Sequence, residues 1–371
     1  MVNKTLNYVT YQSFPAETAN SLQTIAQIQE FVKQGLNVNL YFPLREQNSS
    51  GDKNKLFEFY EVKNTFNVHG LLHRYPFGKF QKFNKIWYHI SHFLWSKKTS
   101  ESFSYVKHGD ELFFTRSDWL LYFLAKKNFT IVFECHQYSK LRNFLLKKIA
   151  HLPNVKVIFL NPLIKNAFNI EFYNYLIAPS AVDTDILLEL ENSSKEKNSI
   201  IFVGNLLRFG KSRNIEELIE LFTTNSNLQQ YKLIIVGGPD IEASRINEKI
   251  INQNINNIKI LGRKKRSEVF ELLKKAEYGV LINSDDKHSK NFTSPLKYSE
   301  YLAAELKVLA IDYPSHKTLP FQENIYYFHE DLDESFLDAL NLASQADFKQ
   351  IDNNHISLET RTKKILELYS K

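Results

Sequence analysis

Cysteine is almost absent from this 371-residue chain: Cys135 stands alone. A disulfide within the chain is therefore excluded, and so is a multi-cysteine zinc or iron–sulfur centre. Long apolar runs are lacking too. Nothing reaches the roughly 18 apolar residues of a membrane-spanning helix. The opening MVNKTLNYVTYQSFP holds no apolar stretch long enough for a signal peptide. There is no repeat of short period and no low-complexity tract. The expectation is a soluble, cytoplasmic protein. With 43% hydrophobic and 24% charged residues it can bury ordinary cores. At about 100–200 residues per domain, its length predicts two domains, or three. Its 29 Phe, 19 Tyr and 3 Trp provide surface for cores or for a sticky interface.

The net charge of +6 is unevenly spread. Residues 1–185 carry 22 Lys/Arg against 14 Asp/Glu, a net +8, and the remainder 25 against 27, a net −2. A basic first half points to an anionic partner: phosphate groups, nucleic acid or a lipid surface. Charge alone does not choose among them.

Periodicity supplies the organisation. Leu6–Tyr11 alternates as a strand, and Ser21, Leu22, Ile25, Ile28, Phe31 and Val32 recur at helical spacing. Gly35 ends that helix, and Val38–Phe42 is the next strand. A helix over Ser117–Leu124, a strand over Thr130–Glu134, a helix over Leu141–Ala150 and a strand over Val155–Leu160 repeat the pattern. Polar residues then cluster in Glu189–Asn198, which reads as a linker or exposed turn. A second α/β run starts at Ser199 and closes with a helix over His355–Tyr369. Alternating strands and helices predict parallel sheets. The fold class expected is α/β, with two Rossmann-like domains facing each other across a cleft: 1–188, 199–353, and a last helix in 354–371. Such folds bind ligands at the carboxyl ends of their strands.

The most informative stretch is Lys290–Asp312, KNFTSPLKYSEYLAAELKVLAID. Ser294 is a good helix N-cap and Pro295 suits the first helical position. Free amides at that helix start make an anion site suited to a nucleotide diphosphate, and Lys297 adds a positive charge in the first turn. Glu300, one and a half turns in, is placed to accept hydrogen bonds from ribose hydroxyls.

This stretch resembles the family-4-type retaining glycosyltransferases of the GT-B fold, which carry a run like S-P-L-K-x-x-E-Y-x-A. Ser294, Pro295, Leu296, Lys297, Glu300, Tyr301 and Ala303 match it. Phe202-Val203-Gly204 with Lys211, the turn Ile234–Gly238, Leu261-Gly262-Arg263, Ser180–Asp183 and the opening loop Ser13–Leu22 resemble further segments of the family in order. The resemblance implies transfer of a sugar from a nucleotide-sugar donor to a hydroxyl acceptor, with retention and without a metal. The nucleotide sugar would be substrate, and no cofactor is expected. It places catalysis on His136, Lys211 and Glu300. Donor binding falls on Gly204, Arg208, Lys211, Gly237, Arg263, Thr293, Ser294, Leu296, Lys297 and Glu300. His136 would touch the donor sugar or its phosphate, with Glu134 orienting it or capping the next helix. The final helix would pack back on the first domain. The chain departs from the pattern at Phe292, where many members carry a first glutamate, at Asn205, where arginine is common, and at Glu305, which replaces a glycine after the helix and predicts a looser helix end.

Other features have rival readings. Asp183-Thr184-Asp185 and Ser284-Asp285-Asp286 resemble D-x-D metal sites but read better as turn and cap residues. Arg74–Lys98 holds six Lys/Arg, eight aromatics and no acid. Phe80, Phe83, Trp87, Ile90 and Leu94 share one helical face. Such a stretch suits an anionic membrane surface. The rival is a helix packed on its own sheet with a basic outer face. Single-stranded nucleic acid would suit the same composition, but no nucleic-acid motif accompanies it, and none is expected as a partner. Acceptor or membrane contact is expected at Ser13, Asn20, Lys79, Lys82, Lys85 and Trp87, the acceptor being a sugar, lipid, lipid-linked sugar or polysaccharide precursor. An epimerase of the same architecture would need further carboxylates in the cleft, and none is convincing. A degenerate, non-catalytic binding protein is the other alternative, supported by Phe292 and Asn205.

Overall fold

A computed structural model describes residues 4–75, 84–106, 109, 111–188, 190, 194–208, 211–332 and 334–370. The side chains at 84, 85, 187, 188, 208, 211 and 212 lie outside that description. Two α/β units emerge: one runs to Ala178 and resumes at Leu358, the other is Pro179–Ser357.

In the first unit seven parallel strands, β1 (Thr5–Val9), β2 (Asn37–Leu44), β3 (Asn67–Leu72), β4 (Glu111–Thr115), β5 (Ile131–Cys135), β6 (Val155–Phe159) and β7 (Tyr175–Ile177), lie in the order β3-β2-β1-β4-β5-β6-β7. Leu6 pairs with Val38 on one side and Leu112 on the other. Helices α1 (Ala19–Lys33), α2 (Lys53–Phe59), α3 (Asn84–Ser102), α4 (Asp118–Lys126), α5 (Lys140–Ile149) and α6 (Pro162–Ala167) connect them. β5 and β6 are buried along their whole length, and each buries one charged residue among apolar ones, Glu134 and Lys156. The predicted glycine stop is present: Gly35 takes φ +85°, and the Leu36 amide turns back to the Phe31 carbonyl at 3.2 Å. The terminal helix, Leu358–Ser370, adds Ile365 and Leu368 to a core of Leu6, Tyr8, Phe31, Leu40 and Phe114.

β3 and β4 escape the sequence reading because the first carries Asn67 and Gly70, which disfavour strands, and the second runs Leu112, Phe113 and Phe114 together without alternation. The helix expected within Arg74–Lys98 forms from Asn84; of its expected apolar face, Phe80 and Phe83 lie outside the described residues, Trp87 is half-buried, and Ile90 and Leu94 are exposed. Ser91, His92, Trp95, Ser96, Thr99 and Ser100 are buried, while Ile86, Ile90 and Leu94 face solvent. The packed helix of the rival reading is present, and its outer face carries exposed Lys97 and Lys98 together with those three apolar side chains. Phe93 packs on Trp119 and Phe123 of α4, with ring centroids 4.8 and 5.4 Å away, and His92 stacks on Tyr11 with ring centroids 4.4 Å apart.

The second unit holds β8 (Ser199–Val203), a two-residue hairpin of β9 (Leu207–Arg208) and β10 (Lys211–Ser212), then β11 (Lys232–Val236), β12 (Ile258–Ile260), β13 (Tyr278–Leu281), β14 (Lys307–Ile311) and β15 (Ile325–Phe328). Its parallel sheet runs β12-β11-β8-β13-β14-β15. Helices α7 (Asp185–Leu188), α8 (Ile215–Thr224), α9 (Asp240–Asn252), α10 (Arg266–Lys275), α11 (Lys287–Phe292), α12 (Leu296–Ala303) and α13 (Glu334–Gln345) cover it. Ile200 and Phe202 point into one core cluster and Ile201 into the other, the period of two expected when both sheet faces are covered. In each sheet the order reverses beside the first strand, between β1 and β4 and between β8 and β13. Such switch points are where these folds bind ligands.

Candidate functional site

In the second unit three strands end on glycine. Gly204 follows β8, Gly237 follows β11, and Gly262 comes two residues after β12. The Gly204 amide donates to Val236 O at 2.9 Å and the Gly237 amide to Gly262 O at 2.8 Å. Gly237 has φ +149°, and a Cβ there would stand 1.8 Å from the Gly204 carbonyl oxygen. Only glycine fits that approach.

Lys297, in the first turn of α12, lies beside Gly204 with its ammonium 4.1 Å from the centre of the Phe202 ring. Its Nζ is buried and has no hydrogen-bond partner among the described residues. Burial, and Arg213 after it, push the ammonium well below the usual lysine range, against the pull of Glu300. Arg213 forks onto the Asn283 Oδ1, at 2.6 and 3.2 Å, just past the end of β13. The Tyr301 hydroxyl accepts from the Val203 amide at 3.1 Å and donates to Val280 O at 3.2 Å, which bolts α12 to β8 and β13. Glu300 pairs with Arg266 at 2.7 Å, and Arg266 lies over the Phe270 ring. Arg263 packs against Gly238, and Thr293 donates to Ser289 O at 2.9 Å. Leu296 is the first residue of α12.

Ser294 requires a correction. The N-cap of α12 is Pro295, and the Ser294 hydroxyl instead accepts from the Ser180 amide at 2.8 Å while its carbonyl accepts from the Ser180 hydroxyl at 2.7 Å. Pairing with Ser180, distant in sequence, captured the capping side chain. The end of the helix also differs from expectation. Glu305 adopts φ +56° and the Leu306 amide returns to Tyr301 O at 2.9 Å, so the turn is as tight as a glycine would make it. Of the paired acids, Asp183 accepts from the Asp185 amide and Asp286 caps α11 through the amides of His288 and Ser289. The backbone of Arg208 and Lys211 forms the β9–β10 hairpin; their side chains lie outside the described residues.

Arg213, Asn283 and Arg266 were missed by the sequence reading. A signal existed: Arg213 stands just before α8, and Arg266 opens α10. Cations at helix starts oppose the helix dipole, so something else must favour them there.

The first unit gathers a different set of groups at its strand ends. Glu134, fully buried in β5, meets Arg116 at 2.9 Å, Arg361 of the terminal helix at 3.2 Å and His136 Nε2 at 2.5 Å. Burial pushes the carboxyl up, but Arg116, Arg361 and His136 together hold it well below the usual range. Burial and Arg116 hold the His136 imidazole below its ordinary value. Asn20 joins this group, its side-chain oxygen accepting from Arg116 at 2.7 Å. Of the two readings for Glu134, contact with His136 is observed; the cap of α5 is Ser139. Ser13 sits apart, accepting from Arg45 at 2.8 Å. Trp87 is half-buried on α3. Lys79 and Lys82, and the Lys85 side chain, lie outside the described residues. No helix among the described residues is long and apolar enough to cross a membrane.

Residues 184–344 match the family described as "Glycosyl transferases group 1". Among curated proteins, none matches the sequence significantly. Similar solved structures span nearly the whole chain. A glycosyltransferase from Rickettsia africae ESF-5 is 14% identical with a TM-score of 0.67, over 99% of this chain and 98% of that one. The lipopolysaccharide outer core galactosyltransferase WaaB, in its apo form, is 14% identical with a TM-score of 0.64, over 98% of each chain. A sucrose-phosphate synthase from Thermosynechococcus elongatus is 14% identical with a TM-score of 0.62, over 99% of this chain and 94% of that one. At such identities the likeness is one of fold: two Rossmann-like α/β domains of the GT-B class.

Proposed function

We propose that this chain is a retaining glycosyltransferase, moving a sugar from a nucleotide-sugar donor to a hydroxyl acceptor without a metal. The observation that carries this reading is Lys297: a buried ammonium with no hydrogen-bond partner among the described residues, set beside the strand-end glycines within the segment that matches the glycosyl transferase family. A buried polar group without a partner costs about 1–3 kcal/mol. A diphosphate would supply the missing acceptor and the opposite charge. As the bond from the anomeric carbon to the diphosphate breaks, negative charge grows on the leaving oxygen. Lys297, Arg213 and the amides opening α12 are the groups to stabilise it. These cations take the part a divalent ion plays elsewhere. Glu300, paired with Arg266, is the candidate for the ribose hydroxyls.

The test is a screen of nucleotide sugars for thermal stabilisation, followed by assay of nucleoside diphosphate release. A ligand at 100 times its dissociation constant adds about 2.7 kcal/mol. Stabilisation by one nucleotide sugar, with slow release surviving excess EDTA, supports the reading. Absence of both, or loss of turnover on chelation with recovery on added magnesium, refutes it or its metal-free form.

For the acceptor we propose a lipid or lipid-linked group reached at an anionic membrane surface. The support is the exposed stripe of Ile86, Ile90 and Leu94 on α3, one helical turn apart, with exposed Lys97 and Lys98 behind it. Near anionic lipid each lysine contributes about 1 kcal/mol. Co-sedimentation with phosphatidylserine vesicles at low salt should occur, and should fall when the three apolar residues become Gln. Indifference of the wild type to such vesicles would point to a soluble acceptor.

A further inference from the structure

Glu134 and His136 are two residues apart along β5 and its end, so both project to one side of the strand. The Glu134 carboxylate is 1% exposed and surrounded by donors. Oε1 receives Arg116 and the His136 Nε2; Oε2 faces Arg361. The two arginines are themselves anchored. Arg116 donates to Asn20 and to Thr24, the latter at 3.0 Å. Arg361 donates to Gln27 at 2.7 Å, and the Gln27 amide donates on to Thr362 at 2.7 Å. The carboxylate is thus held from α1, β4's end and the terminal helix at once. The His136 ring keeps 28% of its surface exposed.

We infer that this network fixes His136 as the neutral tautomer protonated on Nε2, so that Nδ1 is presented as a hydrogen-bond acceptor, and that Glu134, Arg116 and Arg361 are its positioning residues. An ionised carboxylate can only accept, so the ring nitrogen facing it must carry a proton. In a neutral imidazole the other nitrogen is then a lone pair. Protonating the ring fully would set three cations around one anion in a buried place. Arg116 and Arg361 oppose that third charge; Tyr8, buried behind them on β1, is neutral at ordinary pH and adds no anion. An acceptor at Nδ1 recognises a donor, and a sugar hydroxyl is one where a phosphate oxygen is not. That ligand assignment rests on the glycosyl-transfer reading; the tautomer does not. Arg361 also gives the terminal helix a chemical task. It lies 225 residues from His136 in sequence, beyond the whole second unit, yet completes the charge balance around it.

The whole chain labelled with 15N-histidine tests this by long-range 15N–1H spectra at pH 7, with His136→Asn assigning the signal. The Nε2–H tautomer is expected; an Nδ1–H tautomer or an imidazolium overturns the inference. In Glu134→Gln the ring should lose its single tautomer. Release of nucleoside diphosphate from the stabilising nucleotide sugar should fall by about 10–100-fold in kcat, the size of loss seen when a partner that orients a metal-bound histidine is removed, with KM changing less. A folded Glu134→Gln that keeps the tautomer and the rate overturns the positioning role. If that variant does not fold, the same two measurements are made on Arg361→Gln, where an unchanged tautomer and rate overturn the role equally. A wild type with the expected tautomer but no donor turnover would refute the glycosyl-transfer reading and leave the tautomer standing.

Discussion

The two units bury charge in opposite ways. At the strand ends of the first, Glu134 has more partners than it has oxygens. At the strand ends of the second, the Lys297 ammonium lies over the Phe202 ring and has no hydrogen-bond partner among the described residues. Both units share the same sheet order around their first strands, so the topology is not the source of the difference. A buried ion paired with opposite charges, as Glu134 is with Arg116 and Arg361, has its energy already committed within the fold. An unsaturated one is a destabilised ground state that an incoming ion relieves. On the reading proposed above, the contrast separates a place that arranges groups from one that would take an anionic ligand.

The sharpest way to break this comparison is Glu134→Leu. Two guanidinium groups would be left buried without their counter-ion, and about 3–5 kcal/mol of the first unit's stability should disappear in urea unfolding. A loss below about 1 kcal/mol would mean that the arginines find water or other partners, and the contrast between the units would collapse.

Lys297→Met should act in the other direction. Unfolding free energy should rise by about 1–3 kcal/mol, since the unpartnered ammonium is gone. Affinity for the stabilising nucleotide sugar should fall roughly tenfold to a hundredfold, the weight of a charged hydrogen bond. Calorimetric titration beside denaturant curves reads both; a variant that loses stability would show that Lys297 has a structural partner.

The pH dependence should differ in the same sense. Glu134 titrates in the folded chain well below its ordinary 4.5. Its contribution is complete above that value and is lost as pH falls through the folded value. Lys297 titrates well below its ordinary 10.5. Between its folded value and 10.5 the unfolded chain binds more protons, so stability rises with pH across that range. The stability gap between Lys297→Met and the wild type should therefore narrow towards pH 10.5. A gap that stays constant with pH would remove burial of the charge as its cause.

The smallest expected effect lies at the end of α12. Glu305 holds φ +56° where a Cβ is disfavoured. Glu305→Gly should stabilise the second unit by about 0.5–1 kcal/mol, read as a shift in the urea midpoint at unchanged slope.

Much of this was legible in the chain itself. Periodicity marked β1, α1 and β2, the glycine at 35 marked the helix end, and the segment from Ser294 to Ala303 marked the helix that carries Lys297 and Glu300. These signals are local: they depend on spacing along a few turns, which the sequence states outright. In β4, Leu112, Phe113 and Phe114 follow one another without a polar residue between them, so no period of two shows. The capping role expected of Ser294 failed because a residue 114 positions away, Ser180, competed for its hydroxyl.

What tertiary structure alone decided is which charges meet. Nothing near Glu134 in sequence announces Arg361, and nothing in an S-P-L-K run tells whether its lysine will be paired or stranded. Arg213 reached Lys297's neighbourhood only because β8 and β13 lie side by side. The sequence determined the elements, their alternation and the glycines that let strand ends approach, because backbone preferences and burial patterns act over short range. The pairing of buried ions was settled by the sheet order and by the return of the terminal helix, because electrostatic energy depends on distance in space and on the exclusion of water, neither of which is written in the spacing of residues.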